Sequence, residues 1–155
     1  MARAFVDINV FSEDWFSPIL KELMTSKNVI FTYGHSEDFD REFGKARKAL
    51  EFYKLIGQLK TSRGEKRRLD VSSEEIEPQI QYLLGQQCFV ESKDCDDPHI
   101  FSLIYAKPTK YVFSMDMRMA RCRDHINRSI DNRYCDFIVI GDADIYRRHR
   151  QAIMA

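Results

Sequence analysis

No stretch of the chain is apolar over the roughly 20 residues that a membrane-spanning helix needs, and the N-terminus lacks the basic, apolar, small-residue order of a secretory leader. A soluble, cytoplasmic protein is therefore expected, with no membrane partner. Net charge is also missing: 24 Lys and Arg balance 24 Asp and Glu, so nothing draws the whole molecule toward nucleic acid. Any such pull must come from local clusters, and Lys60 to Arg68, Arg118 to Arg133 and Arg147 to Arg150 are each basic. The four cysteines, Cys88, Cys95, Cys122 and Cys135, form no CxxC pair, and a chain of this length needs no covalent staples. Reduced thiols are expected. Cys95 with His99 and Cys122 with His125 lack the tight spacing of structural zinc sites. Neither internal repeat nor low-complexity segment occurs, and no aromatic ladder suggests base stacking; Trp15 and the many Phe and Tyr side chains read as core.

What is present suffices for one domain. With 155 residues, 44% of them apolar, the chain can bury a single core of ordinary size and leaves little for a second, so residues 1–155 are read as one domain. Arg3 to Phe11 (RAFVDINVF) and Asn28 to Tyr33 (NVIFTY) read as strands separated by a short helix after Ser17-Pro18. From Ser36 to about Leu59, Phe39, Phe43, Ala46, Leu50, Tyr53 and Ile56 recur at steps of three and four, which predicts one long amphipathic helix. Thr61 to Asp70 carries Gly64 and many charges and reads as a mobile basic loop. Ser72 and Glu75 have capping-box spacing, although Pro78 leaves the start of that helix open. Asp97-Pro98 opens a further helix to Lys107, Lys110 to Met115 reads as a third strand, and Asp136 to Ile140 as a fourth ending at Gly141. Strands alternating with helices imply an α/β fold with a central, mainly parallel sheet, whose ligand crevice lies outside the carboxyl ends of its strands.

A carboxylate within or just after a hydrophobic strand is costly to bury alone. Asp7 sits there, Asp116 repeats the pattern at another strand end, Asp97 precedes a helix, and no neighbour in sequence neutralises them. Each could merely cap a turn or helix. Converging carboxylates with open positions, however, are what a hard divalent cation such as Mg²⁺ or Mn²⁺ takes, leaving room for water and a phosphate oxygen.

Three blocks, D-I-N-V in the first strand, D-D-P-H-I-F-S-L-I-Y-A opening a helix, and F-S-M-D ending a strand, resemble the PIN-domain nucleases, and Phe137 to His149 (FIVIGDADIYRRH) resembles the last strand of bacterial members. The resemblance implies a PIN-like three-layer sandwich, one or two Mg²⁺ or Mn²⁺ ions on Asp7, Asp97 and Asp116, and endoribonuclease chemistry. It implies a further acid from the long helix, for which Glu42 is the candidate, with Glu37 and Asp38 in competition and Asp124 a candidate further on. Asn9 and Ser114 occupy the family's supporting polar positions, and Arg118, Arg121 and Arg123 are candidate RNA contacts whose alternative role is pairing with acidic neighbours. His35 and His149 read as ordinary histidines. Bacterial proteins of this kind imply an RNA substrate, a toxin or defence-system role, a neutralising antitoxin partner and a homodimer. A non-catalytic RNA- or protein-binding module on the same fold is the main rival. A phosphatase of the haloacid dehalogenase type is another, but it expects D-x-D, and Asn9 holds the second position.

Overall fold

A computed structural model describes all residues 1–155. The strands are β1 (Ala2–Val6), β2 (Val29–Gly34), β3 (Arg68–Val71), β4 (Tyr111–Phe113) and β5 (Ile138–Ile140). Every pairing is parallel and the spatial order is β3-β2-β1-β4-β5. The helices are α1 (Phe16–Thr25), α2 (Glu37–Gly44), α3 (Arg47–Ile56), α4 (Ser73–Leu84), α5 (Gln87–Glu91), α6 (His99–Ala106), α7 (Met117–Ser129) and α8 (Ala143–Met154). No helix is long and apolar enough to cross a membrane. β1 to β3 are laid down in one direction and β4 and β5 in the other, so right-handed crossovers send the first connections to one face and α4 to α7 to the opposite face. α8 returns to the α1 side, where Tyr146 bonds Glu22 and Asn28 bonds the Met154 carbonyl. The result is an α/β sandwich around an entirely parallel sheet.

Both faces of a parallel sheet are covered, which is why its strands read as continuous apolar runs. Ala4, Phe5, Val6, Phe31, Val112 and Phe113 are all fully buried. Rings fill the space over them edge-on: Phe5 meets Phe39, and Phe31 meets Phe52, an arrangement the ring quadrupoles favour.

Three expectations need correction. The first strand stops at Val6, because Asp7 turns the chain and caps a 3₁₀ turn over Ile8–Val10. The long helix is two helices broken after Gly44, where Ala46 leaves helical geometry; the break rotates the apolar face, so Ala49 and Phe52 are buried and Leu50 is 41% exposed. The basic segment Thr61 to Asp70 is no free loop, since it feeds β3 onto the sheet edge and buries Arg67. Three tyrosines also stack on one another: Tyr105 lies parallel to the buried Tyr134 at 4.2 Å, Tyr82 covers Tyr134, and Arg133 lies over Tyr105. The Ser72–Glu75 capping box is formed, and α4 runs through Pro78, held by the buried Ile76, Ile80 and Leu83 rather than by the missing amide bond.

β1 parts from β2 after the Ala4–Phe31 pair, which would orphan the next main-chain groups. Tyr53 from α3 replaces the strand: its hydroxyl donates to the Val6 carbonyl at 3.0 Å and accepts from the Val6 amide at 3.1 Å. Burial holds its phenol pKa far above the usual range, against the lowering effect of the Val6 hydrogen bond. Tyr53→Phe would leave both groups unpaired in the core and is expected to cost about 2 kcal/mol in urea unfolding, with less than about 0.5 kcal/mol for the exposed Tyr82→Phe control.

Candidate active site

The strand order reverses between β1 and β4, and in open parallel sheets the crevice beyond the carboxyl ends at such a reversal is the usual ligand site. Val6 and Phe113 are paired across these strands, so Asp7 and Ser114, the residues that follow them, leave the sheet side by side. The Asp7 amide still bonds the Phe113 carbonyl at 2.9 Å. Ser114 donates its hydroxyl to Asp7 Oδ2 at 2.8 Å, and Asn9 donates its amide to the same oxygen at 3.3 Å. Asn9 Oδ1 in turn accepts the Met115 amide, and Ser114 Oγ accepts the Asp116 amide. Asn9 and Ser114 thus weld the β1 exit to the β4 exit and hold both acids by their main chain or carboxylate.

Asp97 and Asp116 are placed by helix starts. Asp97 Oδ1 accepts the His99 amide at 3.0 Å at the head of α6, and Asp116 Oδ1 accepts the Met119 amide at 3.1 Å at the head of α7. Capping is real, as the bland reading required. Yet it uses one oxygen of each carboxylate and leaves Oδ2 without a hydrogen bond, so capping alone does not account for the charge gathered here.

That charge is felt across the site. Asp7 is pushed up to about 6, chiefly by burial against the opposing effects of Ser114 and the Ile8 amide, with the negative charges of Asp97 and Asp116 adding to the rise. Glu42, on α2, is pushed up to about 7, again first by burial and then by Asp97, Asp7 and Asp38. Asp97 is raised by burial, opposed by His99 and helped by Asp116 and Asp96. These mutual influences bring Asp7, Asp97, Asp116 and Glu42 into one electrostatic unit on elements far apart in sequence.

The competitors of Glu42 have different surroundings. Glu37 is exposed on the first turn of α2. Asp38 is engaged, pairing with Arg41 and lying 2.7 Å from His99 Nε2. Asp124 is exposed further along α7, beside Arg123 and Cys135. The Asp38–His99 pair ties α2 to the start of α6, with the His99 ring edge-on to Phe39. Reading the sequence gave no hint of that pair, because nothing in the spacing links the two residues.

The candidate RNA-contact arginines rest on protein acceptors. Arg118 meets Asp96 at 2.5 Å and Arg121 meets Asp94 at 3.0 Å, both at the surface. Arg123 donates to the Phe137 carbonyl and covers the Phe137 ring, a packing role. The expectation of four free thiols is corrected: Cys95 and Cys122, with Cα atoms 5.0 Å apart, are joined in a disulfide, while Cys88 and Cys135 are free. That separation lies within the reach of the bond, and burial of both sulfurs keeps them together. As they stand, no three His, Cys, Asp or Glu side chains come close enough together to hold a metal ion. A surface concavity of about 520 Å³ lies elsewhere, at the opposite ends of the strands around Arg3, Lys110 and Asp136, and has no comparable gathering of acids.

The donors are carboxylate oxygens, their charge offset in part by His99 beside Asp97 and Arg41 beside Glu42, and such oxygens fit a hard cation such as Mg²⁺ or Mn²⁺. Compared with known proteins, the chain matches no family model, no curated protein and no solved structure.

Proposed function

We propose that the chain is a metal-dependent endoribonuclease of PIN-like type, with Asp7, Asp97 and Asp116 holding one or two Mg²⁺ or Mn²⁺ ions and Glu42 completing the acidic set. One observation carries this reading most: a half-buried carboxylate, Asp7, is fixed by Ser114 and Asn9 at the point where the strand order reverses, and three further acids raise or share its charge. Bound there, the cation would lower the pKa of a water and offset charge growing on the phosphate. The chain's own part is to orient. Ser114 and Asn9 fix the Asp7 carboxylate, the α6 and α7 amides fix Asp97 and Asp116, and Glu42, with a pKa near 7, is suited to take or hold a proton beside them.

Phosphates of an RNA strand are the fitting substrate because Arg118 and Arg121 stand at the rim on exposed ion pairs. Such pairs are worth about 0–1 kcal/mol, so phosphate can displace Asp96 and Asp94 at little cost. A role as a toxin or defence nuclease with a neutralising partner, and pairing of two copies, belong to this same proposal. The open spacing of the acids favours a second reading, a module that binds RNA or protein without cutting.

The test is cleavage of end-labelled tRNA, messenger RNA and single-stranded DNA with Mn²⁺ or Mg²⁺, comparing wild type, Asp97→Asn and an EDTA control. Cutting of RNA by wild type, reduced at least about a hundredfold in both controls, is expected. A folded, metal-supplied wild type that cuts nothing would move the assignment to the binding module.

A further inference from the structure

Cys95 lies in the turn Asp94-Cys95-Asp96-Asp97, two residues before a proposed ligand, and Cys122 lies on α7, whose cap is Asp116, another proposed ligand. Both sulfurs are buried, each residue 1% exposed. The same turn and the same helix meet twice more, through Asp96 with Arg118 and Asp94 with Arg121. Arg121 and Cys122 follow Arg118 by three and four residues and share one side of α7 with it, so the whole turn is moored along it. Of these moorings the two ion pairs are exposed and weakened by salt. The disulfide is the one covalent link.

We propose that Cys95–Cys122 is a reversible thiol–disulfide site that locks the Asp97 turn against the helix capped by Asp116, with small thiols and small disulfides as the compounds that act on it. Reduction consumes two thiols. The thiolate of the first attacks one cysteine sulfur, the Cys95–Cys122 bond breaks, and the departing thiolate takes up a proton; a second thiolate then attacks the mixed disulfide, leaving two cysteine thiols and one oxidised small disulfide. Oxidation by that small disulfide is the reverse, and electrons balance in both directions. A disulfide that forms in a reducing compartment is usually transient or redox-sensing rather than a permanent staple. Because the sulfurs are buried, attack requires the turn to lift from α7. A divalent cation spanning Asp97 and Asp116 would hold it down, a consequence that rests on the nuclease reading.

Two readouts independent of metal and RNA come first. Denatured, unreduced protein treated with iodoacetamide should gain two adducts by intact mass, on Cys88 and Cys135, and four after dithiothreitol; four without reduction would overturn the proposal. Amide hydrogen exchange over residues 92–99 should then quicken about tenfold on reduction, return to the starting rate after oxidised glutathione, and be permanently fast in Cys95→Ser/Cys122→Ser. Unchanged exchange in both reduced wild type and the double variant would also overturn it. On the nuclease reading, Mn²⁺ should slow the reduction by dithiothreitol at least about fivefold in wild type and not in Asp97→Asn. Fast exchange on reduction with no Mn²⁺ effect would leave the lock standing and count against the metal site instead.

Discussion

Asp7→Asn is expected to abolish RNA cleavage, by at least about a hundredfold, while making the metal-free protein more stable above about pH 6. The folded chain holds the Asp7 proton up to about 6, whereas an unfolded aspartate releases it near 3.8. Stability tied to that proton is complete below 3.8 and is lost as pH rises through about 6. At pH 7.5 the charged carboxylate thus penalises folding, by about 2 kcal/mol once its partial exposure is allowed for. Asparagine carries no charge, keeps an oxygen for the Ile8 amide, and lets the Ser114 hydroxyl turn to accept, but it deprives the Asn9 amide of an acceptor. A net gain of about 1 kcal/mol at pH 7.5, vanishing near pH 4, is therefore expected from urea unfolding at the two pH values. A variant that loses stability at both would show Asp7 to be a structural residue held in place by its network.

Arg67→Met is expected to cost about 3–5 kcal/mol. Its guanidinium is 1% exposed, has no carboxylate partner, and donates to the carbonyls of Leu23, Met24 and Val29. Leu23 and Met24 are in the last turn of α1, where carbonyls lack amide partners along the helix and the dipole end is negative. The Phe31 ring faces the same cation at 5.6 Å. Methionine fills the stem's volume and leaves three carbonyls unpaired beside a negative helix end. The exposed neighbour Lys66→Met should change stability by less than about 0.5 kcal/mol, so a pair of urea titrations decides whether this arginine caps α1.

Arg67 also shows where sequence reading stopped. Its cluster looked like a solvated loop because charge density reports average environment, and only the fold reveals that one of those arginines reaches beneath β2 to a helix end. The strands, by contrast, were legible: burial on both faces leaves apolar runs such as VIFTY and KYVFSM that propensity alone identifies. β3 was not, because Arg68-Leu69-Asp70-Val71 is an edge strand with polar residues that satisfy only one neighbour. The helix break after Gly44 escaped because the apolar steps continue through it, although Leu50 then falls on the outside. At the site, Asp7 and Asp116 stood out because each follows a strand end and Asp97 because it precedes a helix, while the Asp38–His99 contact is encoded by no local pattern. Asn9 and Ser114 were legible as positions, and their hydrogen bonds to Asp7 gave them a physical role.

The account turns on whether these acids take up a divalent cation together. Calorimetric titration of the oxidised protein with Mn²⁺ at pH 6.0 and pH 7.5 measures this directly. Because Asp7 and Glu42 hold protons to about 6 and about 7, binding must displace them. Affinity should therefore rise at least about tenfold between the two pH values, and be lost in Asp97→Asn. Binding that is absent at both pH values, or that is unchanged by pH and by Asp97→Asn, would contradict a metal site built on Asp7, Glu42, Asp97 and Asp116.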